Sequence, residues 1–132
     1  MLTLDEIAEL VRTQDNAITA DPVFVVEERV RTYGFDPAYA SHGGITECWL
    51  DEESNEVHES DDEMVTYTGY VDEWRPVSAA CFFTRAGAED YCRTQRHRHR
   101  GELRVYVDSG YRNPEWKAVR AFLAALEKKD GA

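Results

Sequence analysis

The hydrophobic pattern is clearest between residues 103 and 126. Apolar and polar residues alternate along LRVYVDS, residues 103–109, and this period of two predicts a half-buried strand. Gly110 allows a turn, and Asn113-Pro114-Glu115 predicts a helix start, because asparagine caps helices and proline at the first position gives up no needed hydrogen bond. The helix is predicted to end within residues 128–131, where two lysines precede a glycine. The apolar stripe predicted for it contains Trp116, Val119, Phe122, Leu123 and Leu126.

Two further helices are predicted from their N-terminal caps. Thr3 and Glu6 have the spacing of a capping box, in which each side chain binds the backbone of the other, and a helix over residues 4–14 follows. Thr84 can cap a second helix that runs to about Gln95. Both segments carry apolar residues at helical spacing, so each should bury one face.

Strands are predicted in the middle of the chain. Residues 23–33 fit both a helical stripe and a strand, and the β-branched residues at their start favour the strand. Residues 45–50, 64–70 and 74–83 alternate as strands do, and Asp72-Glu73 is predicted to form the turn between the last two.

The order of these elements predicts an α+β fold in one domain over residues 1–132. Neighbouring strands without helices between them favour antiparallel pairing. We therefore expect a twisted, mainly antiparallel sheet of four to five strands, with two C-terminal helices on one face and a short N-terminal helix.

The net charge of −11 is distributed unevenly along the chain. Residues 1–74 hold 19 acidic and 3 basic residues, a formal charge of −16, whereas residues 75–132 hold 7 acidic and 12 basic residues, a formal charge of +5. Such asymmetry indicates an interaction surface. The alternative interpretation is that the two halves attract each other within one fold.

The acidic segment, residues 51–63, carries much of this charge. It contains eight carboxylates and a single apolar residue, Val57, so an exposed hairpin loop is predicted. Clustered carboxylates can imitate nucleic-acid phosphates and occupy a basic groove on a partner protein, although a solvated loop is the simpler interpretation. A calcium loop is not expected, because the segment has no glycine. Its candidate partner-binding residues are Asp51, Glu52, Glu53, Glu56, Glu59, Asp61, Asp62 and Glu63.

A basic connector, residues 93–100, lies between the second helix and the last strand. Its candidate anion-binding residues are Arg96, Arg98 and Arg100. The negative net charge opposes direct binding of nucleic acid, so a solvated edge, or a contact with the acidic segment of a second copy in a homodimer, is the alternative. Tyr111 and Arg112 are added as partner-binding candidates because neither has an evident folding role.

Candidate catalytic and metal-binding residues are sparse. His97-x-His99 lies near Cys92, but no Cys-x-x-Cys or His-Glu-x-x-His arrangement completes a site, so no metal and no cofactor is expected. Cys81 lies in an apolar stretch, where a buried and inert thiol is expected. Asp72 or Glu73 with Asp108 could form a carboxylate site only if the fold assembled them. Without a nucleophile elbow, phosphate loop or dinucleotide fingerprint, no enzyme is predicted.

The sequence also predicts a cellular location. No apolar run approaches the roughly 20 residues of a membrane helix. The N-terminal segment carries acids instead of the basic residues of a signal peptide. Three cysteines are too few for a disulfide scaffold, and this favours a reducing cytoplasm.

Several motifs between residues 21 and 126 resemble those of a group of small phage- and prophage-encoded proteins. The motifs are Arg31, Tyr33-Gly34, Asp36-Pro37-x-Tyr39, Gly69-Tyr70-x-Asp72-x-Trp74, Phe83-Thr84, Gly87, Tyr91, His97-Arg98-His99, Val105-Tyr106-Val107 and Arg112-Asn113-Pro114-Glu115-Trp116. The chain departs from the group in its acidic segment and at Gln95-Arg96, where the group has asparagine. The resemblance implies a mobile-element origin and no particular activity.

These observations together give a functional hypothesis. We expect a phage-derived binding protein that docks on a host protein in the cytoplasm and inhibits a defence complex, such as a CRISPR effector, or a nucleic-acid-processing complex through its acidic segment. The alternative is a small phage assembly module that self-associates, acidic half to basic half. A small enzyme is the third hypothesis.

Overall fold

The computed structural model of the protein describes residues 2–58 and 65–126 of the chain. Its α-helices are α1 (Leu4–Thr13), α2 (Arg85–Gln95) and α3 (Pro114–Ala125), and its strands are β1 (Pro22–Phe35), β2 (Thr46–Leu50), β3 (Glu56–Val57), β4 (Thr66–Phe82) and β5 (Leu103–Ser109). Short 3-10 helices span Pro37–His42 and Arg96–Arg98. The strands form one antiparallel sheet in the order β3-β2-β4-β1-β5, which confirms the predicted α+β class.

The chain divides into two compact units. Unit 1 comprises Met1–Glu28 and Pro76–Ala132, and unit 2 comprises Arg29–Arg75. The single domain over residues 1–132 stays a prediction. Within the described residues, no helix is long and apolar enough to cross a membrane.

The predicted helix caps are confirmed. The Thr3 side chain accepts a hydrogen bond from the backbone of Glu6, and the Glu6 carboxylate accepts one from the Thr3 backbone in return. Thr84 Oγ1 accepts from the Gly87 N–H at 3.0 Å. Asn113 Oδ1 accepts from the Trp116 N–H at 3.0 Å. These bonds occupy N–H groups that the first turn of each helix leaves without a partner. The predicted end of α3 within residues 128–131 is wrong, because the helix ends at Ala125 and Leu126 caps it with an extended backbone.

Unit 1 has an apolar core between the sheet and α2. The fully buried members are Phe24, Val26, Ala80 and Ala88. Partly buried side chains of β4, α2 and β5 pack around them, among them Val77, Phe82, Tyr91, Leu103, Val105 and Val107. The helix α3 packs against α1, where Leu123, Ala8 and Val11 are buried. Alternation along β1 explains its contribution, because Phe24 and Val26 share one face.

Strand β4 contains two corrections to the predicted pattern. The turn predicted at Asp72-Glu73 is wrong, because β4 runs without interruption from Thr66 to Phe82. The backbone of Ala79 has a left-handed φ of 59°. Beyond it, the core-facing positions shift from Val77 to Ala80 and Phe82, as they do across a β-bulge. Cys81, which was expected to be buried, is therefore exposed.

The apolar stripe predicted for α3 is only partly correct. Leu123 is buried, but Val119 and Phe122 are 47% and 63% exposed. The side of α3 that packs is fixed by Trp116, whose ring stacks on Phe83 with centroids 3.9 Å apart. This orientation leaves Val119 and Phe122 on the outer side of the helix.

Candidate protein-binding surface

The acidic segment begins with a tight turn organised by Asp51. Asp51 Oδ1 accepts hydrogen bonds from the backbone N–H groups of Glu53 and Asn55, at 2.9 and 2.8 Å. The Asp51 N–H donates to the Asn55 carbonyl at 2.9 Å, and Ser54 takes a φ of 64°. A carboxylate that binds the following backbone is a common turn-forming device. The turn joins β2 to β3, so residues 51–57 of the predicted loop form part of a hydrogen-bonded β-hairpin.

Two aromatic residues lie together beside this hairpin. Trp49 of β2 is directly opposite Tyr67 of β4, and their ring centroids are 5.0 Å apart. Val57 of β3 is opposite Trp49 on its other side. The Tyr67 hydroxyl donates to the Glu47 carboxylate. Directly opposed residues of an antiparallel sheet share one face, so these four side chains form a single patch.

We call this patch, together with two acids of the turn, the hairpin surface. Its members are Glu47, Trp49, Glu52, Glu53, Val57 and Tyr67. Tyr67 is 47% exposed, Val57 is 37% exposed, and the three glutamates are exposed. Carboxylates beside aromatic rings match the chemistry of lysine and arginine side chains, which bind carboxylates by charge and ring faces by cation–π attraction.

On the other face of the sheet, Arg31 of β1 joins β3 to β4. The Arg31 guanidinium binds both oxygens of Asp72, at 2.7 and 2.8 Å, and both oxygens of Glu56, at 2.9 Å. It also lies 3.8 Å from the centre of the Tyr70 ring. Asp72 receives a further bond from Arg29 at 2.9 Å. Five groups from β1, β3 and β4 are thus joined by charge-assisted hydrogen bonds and cation–π contact.

This ionic network shifts the protonation equilibria around it. The hydrogen bond from Arg31 holds the pKa of Asp72 below its ordinary value, and the bond to Asp72 raises the pKa of Arg31. Burial raises the pKa of the Tyr33 phenol and of the Cys48 thiol, and the charge of Glu56 raises both further. Asp72 and Arg31 therefore stay charged, whereas Tyr33 and Cys48 stay neutral.

Unit 2 is strongly acidic. Residues 29–75 contain 12 acidic and 3 basic residues, a formal charge of −9, and the remainder contains 14 acidic and 12 basic residues, a formal charge of −2. The three basic residues of unit 2 are Arg29, Arg31 and Arg75, and each is bound to a carboxylate. Most of the 12 acidic residues therefore have no basic residue of the same unit to balance their charge.

The structure separates the predicted acidic residues into different roles. Asp51 closes the turn and Glu56 binds Arg31, so both carboxylates are engaged within the protein. Glu52 and Glu53 are exposed on the turn. Glu59, Asp61, Asp62 and Glu63 lie outside the described residues. That the eight acidic residues bind a partner stays a prediction, and among them the side chains of Glu52 and Glu53 are exposed and not engaged by Arg31 or by the turn.

Tyr111 and Arg112 lie at the corner of unit 1 between β5 and α3. Tyr111 is 68% exposed, its ring lies 5.3 Å from Lys117 Nζ, and Arg112 is also exposed. Ser109 Oγ accepts from the Tyr111 N–H at 3.3 Å and is bonded to Thr19 Oγ1 at 3.0 Å. The Ser109 and Thr19 hydroxyl groups thus hold the backbone of this corner, and the side chains of Tyr111 and Arg112 are exposed.

The basic connector begins in the last turn of α2 and continues as the 3-10 helix Arg96–Arg98. Arg96, Arg98 and Arg100 are exposed, as is His97. His99 is directed inward, where Nδ1 lies 2.5 Å from Glu28 Oε1 and Nε2 lies 3.0 Å from the Tyr91 hydroxyl. The two histidines therefore do not converge as a metal site would require.

Other candidate chemistry is dispersed. Among the described residues, no group of three or more histidine, cysteine or acidic side chains could hold a metal ion. In unit 2, Asp72 is bound by Arg29 and Arg31. In unit 1, the Asp108 carboxylate accepts a hydrogen bond from the Ser109 N–H. The exposed Cys81 thiol lies beside Leu2, Ile7 and Phe83 in an apolar groove.

Sequence reasoning missed Glu47, Trp49 and Tyr67. The alternation of residues 45–50 and 64–70 placed each in a strand, but the pairing that brings the two rings together depends on the register between strands. No protein-family model matches the chain, and searches of curated proteins and of solved structures gave no match.

Proposed function

We propose that the protein is a non-enzymatic binding protein that docks on a basic surface of another protein through the hairpin surface. The observation that carries this proposal is the pairing of Trp49 with Tyr67 beside Glu47, next to the preformed turn that exposes Glu52 and Glu53. Aromatic anchors surrounded by charge are typical of residues that dominate binding energy at protein interfaces.

The charge of unit 2 supports a cationic partner. A formal charge of −9 over residues 29–75 attracts basic surfaces and repels acidic ones, and it raises the rate of encounter with a basic protein. Proteins that bind nucleic acid carry such basic surfaces, because they neutralise phosphates with lysine and arginine. The partner class is therefore a nucleic-acid-binding protein whose basic groove the acids occupy.

The resemblance to small phage-encoded proteins extends this proposal to the biological setting. A mobile-element protein that acts in the cytoplasm of a host would meet defence and nucleic-acid-processing complexes with basic grooves. The proposed action is inhibition of such a complex by occupation of its groove, and the charge of unit 2 supports it. The resemblance supplies the setting, and the hairpin surface supplies the contact.

Capture of partners from a host lysate tests the proposal. The immobilised full chain is compared with E52Q/E53Q, with Tyr67→Ser, and with the charge-matched control E89Q/E115Q, whose acids are exposed in unit 1. The lysate is treated with nuclease so that no nucleic acid bridges the proteins. Basic nucleic-acid-binding proteins should be recovered by the wild type and the control and lost with both hairpin variants, and they should elute as NaCl rises from about 0.1 to 0.5 M.

The captured protein is then purified and its affinity is measured for each variant. We expect E52Q/E53Q and Tyr67→Ser each to weaken binding by about tenfold or more, since interface anchors commonly contribute 1–2 kcal/mol. Equal affinity for the wild type and both hairpin variants would contradict the proposal. Equal loss with E89Q/E115Q would show that net charge alone governs the interaction.

A further inference from the structure

Strand β5 forms one edge of the sheet. It pairs with β1 along its whole length, from Leu103 to Ser109, and within residues 2–58 and 65–126 no second strand lies beside it. The helix α2 packs on β5, with Val105 and Val107 turned to the core. Every second N–H and C=O group of an edge strand points away from the sheet, where it can bind another strand.

A backbone bond next to β5 shows which residues face this free edge. The Gly110 N–H donates to the Asp21 carbonyl at 2.6 Å, and these two residues continue the register in which Ser109 is opposite Pro22. Antiparallel pairs alternate between those that exchange hydrogen bonds and those that do not. The even-numbered residues of β5 therefore bind β1.

The odd-numbered residues of β5 point outward. Val105 and Val107 direct their N–H and C=O groups to the free edge, and no hydrogen bond from the described residues takes them up. At the end of the strand, the Ser109 N–H is bound by the Asp108 carboxylate at 2.8 Å. The available stretch is thus centred on Tyr106 and is short.

The side chains around Tyr106 are complementary in charge to the same side chains of a second, antiparallel copy of β5. Arg104 and Asp108 lie two residues on either side of it, and all three are exposed, Tyr106 by 48%. The Arg104 guanidinium binds Glu27 of β1 at 2.7 Å, so an Asp108 carboxylate from a second copy would be a further partner of the same group, as Asp72 and Glu56 are of Arg31. If two β5 strands pair in antiparallel fashion about Tyr106, Arg104 of each copy is opposite Asp108 of the other, and Val105 is opposite Val107. Opposite charges and aromatic pairs that are directly across from each other stabilise a sheet.

The direction of the backbone groups agrees with this register. Val105 and Val107 would exchange about four N–H to C=O hydrogen bonds across the dyad, and Tyr106 would be opposite its own copy in a pair without hydrogen bonds. Registers centred on Val105 or Val107 also place outward groups together, but they put Tyr106 opposite Arg104 or Asp108 and leave no Arg–Asp pair. Charge complementarity therefore selects Tyr106 as the centre.

We propose that the free edge of β5 binds β5 of a second copy, so that the two sheets join in a symmetric dimer. The occupant of the edge is a second copy because the stretch is complementary to itself in charge, in backbone direction and in ring pairing. The dimer is an interface between identical surfaces of the two chains, and closed symmetry of this kind is the commonest form of homodimer. It is independent of the function proposed for the hairpin surface.

Mass in solution gives the first test. Sedimentation of the full chain from about 1 to 500 µM should show a shift from 15.1 kDa to about twice that value, with a micromolar dissociation constant because the interface is short. Asp108→Arg and Arg104→Asp, each alone, place like charges across the dyad and should raise the dissociation constant by about tenfold to a hundredfold. Circular dichroism of each variant verifies the fold.

A mixing experiment makes the test independent of folding defects. R104D presents only carboxylates at these two positions and D108R only guanidinium groups, so an equimolar mixture restores two opposite-charge pairs across the dyad. The mixture should therefore dimerise with about the affinity of the wild type, although each variant alone dimerises about tenfold to a hundredfold more weakly. Failure of the mixture to dimerise, while each variant is folded, would overturn the register.

Disulfide trapping gives a distance-based test. In a Cys81→Ser background, Tyr106→Cys places two thiols across a pair whose Cα atoms are about 4.5 Å apart, within the range of a disulfide. In the control Asp108→Cys, the two thiols lie roughly 13 Å apart. Oxidation should convert Y106C to a covalent dimer and leave D108C a monomer. A wild type that stays monomeric up to about 500 µM would overturn the proposal and leave the edge to an extended segment of a different protein.

Discussion

Units 1 and 2 are stabilised by different kinds of interaction. In unit 1, Phe24 and Val26 are fully buried against Ala80 and Ala88, and none of the buried residues that the structure describes in this core is charged. In unit 2, the buried residues that the structure describes are Cys48, Thr68 and Gly69, and Arg31 joins the strands through two carboxylates. Apolar burial is insensitive to salt and protons, whereas exposed ionic bonds respond to both.

The difference shows what the proposed binding face requires. A face that presents carboxylates and aromatic rings to a partner cannot also be packed into an apolar core. Unit 2 therefore holds its strands from the opposite face with Arg31, and it keeps Glu52 and Glu53 outside that network. We expect the two units to respond differently to mutation, salt and pH, and the three tryptophans can report on each, since Trp116 belongs to unit 1 and Trp49 and Trp74 to unit 2.

The largest effect is expected from Phe24→Ala in unit 1. The side chain is 0% exposed, and its removal leaves a cavity, so the free energy of unfolding should fall by about 3–5 kcal/mol. Urea unfolding followed by Trp116 fluorescence in a W49F/W74F background measures it. The loss should be the same at low and high salt. A loss below about 1 kcal/mol would contradict the assignment of Phe24 to the core.

A steric test in unit 1 is Gly110→Ala. A Cβ atom at this position would lie 2.6 Å from Trp116 Cδ1 and 3.2 Å from the Asp21 carbonyl. Overpacking of this kind costs about 1–3 kcal/mol. Thermal unfolding of G110A, W116F and the double variant separates the clash from other causes, because the smaller ring should relieve it and make the double variant more stable than additivity predicts.

In unit 2, Arg31→Met should cost about 1–2 kcal/mol at low salt, because it leaves Asp72 and Glu56 without their shared partner. The matched control is Arg29→Met, whose side chain is 48% exposed and which should cost less than about 1 kcal/mol. The cost of R31M should shrink by about half or more in 1 M NaCl. A cost that does not change with salt would show that unit 2 resembles unit 1 and would remove the contrast.

The smallest effect concerns acid stability. The pKa of Asp72 is lower in the folded protein than its ordinary value of 3.8, so the unfolded chain binds its proton first as pH falls. Its stabilising contribution is present above about pH 4 and is lost as pH falls through the lowered pKa. Asp72→Asn should therefore cost about 1 kcal/mol near pH 6 and almost nothing at the acid end. In an R31M background this pH dependence should largely disappear, because the bond that lowers the pKa is gone.

Features that depend on neighbouring residues could be predicted from the sequence. The caps Thr3, Thr84 and Asn113 bind groups within three residues, and the strand at Pro22–Phe35 is favoured by its own β-branched residues. These local preferences need no knowledge of the rest of the fold. The starts of the helices and the α+β class followed from them.

Features that depend on distant partners could not be predicted. Asp72-Glu73 has the composition of a turn, but Arg31, 41 residues away, keeps Asp72 in a strand. The left-handed φ of Ala79 has no signal in its sequence, since alanine seldom takes this conformation, and it reverses the burial of Cys81. The Trp49–Tyr67 pair was missed for the same reason, because the sequence does not specify which strands are neighbours.

The turn built by Asp51 has a consequence for the time course of binding. The Asp51 carboxylate already holds the backbone of Glu53 and Asn55, so this turn loses little freedom when a partner arrives. Association then requires no slow rearrangement there, and its rate would be set by diffusion and by the charges of Glu52 and Glu53. The lifetime of the complex would depend instead on the rings of Trp49 and Tyr67. Substitution of the two glutamates should lower the association rate constant, whereas loss of an aromatic ring should raise the dissociation rate constant.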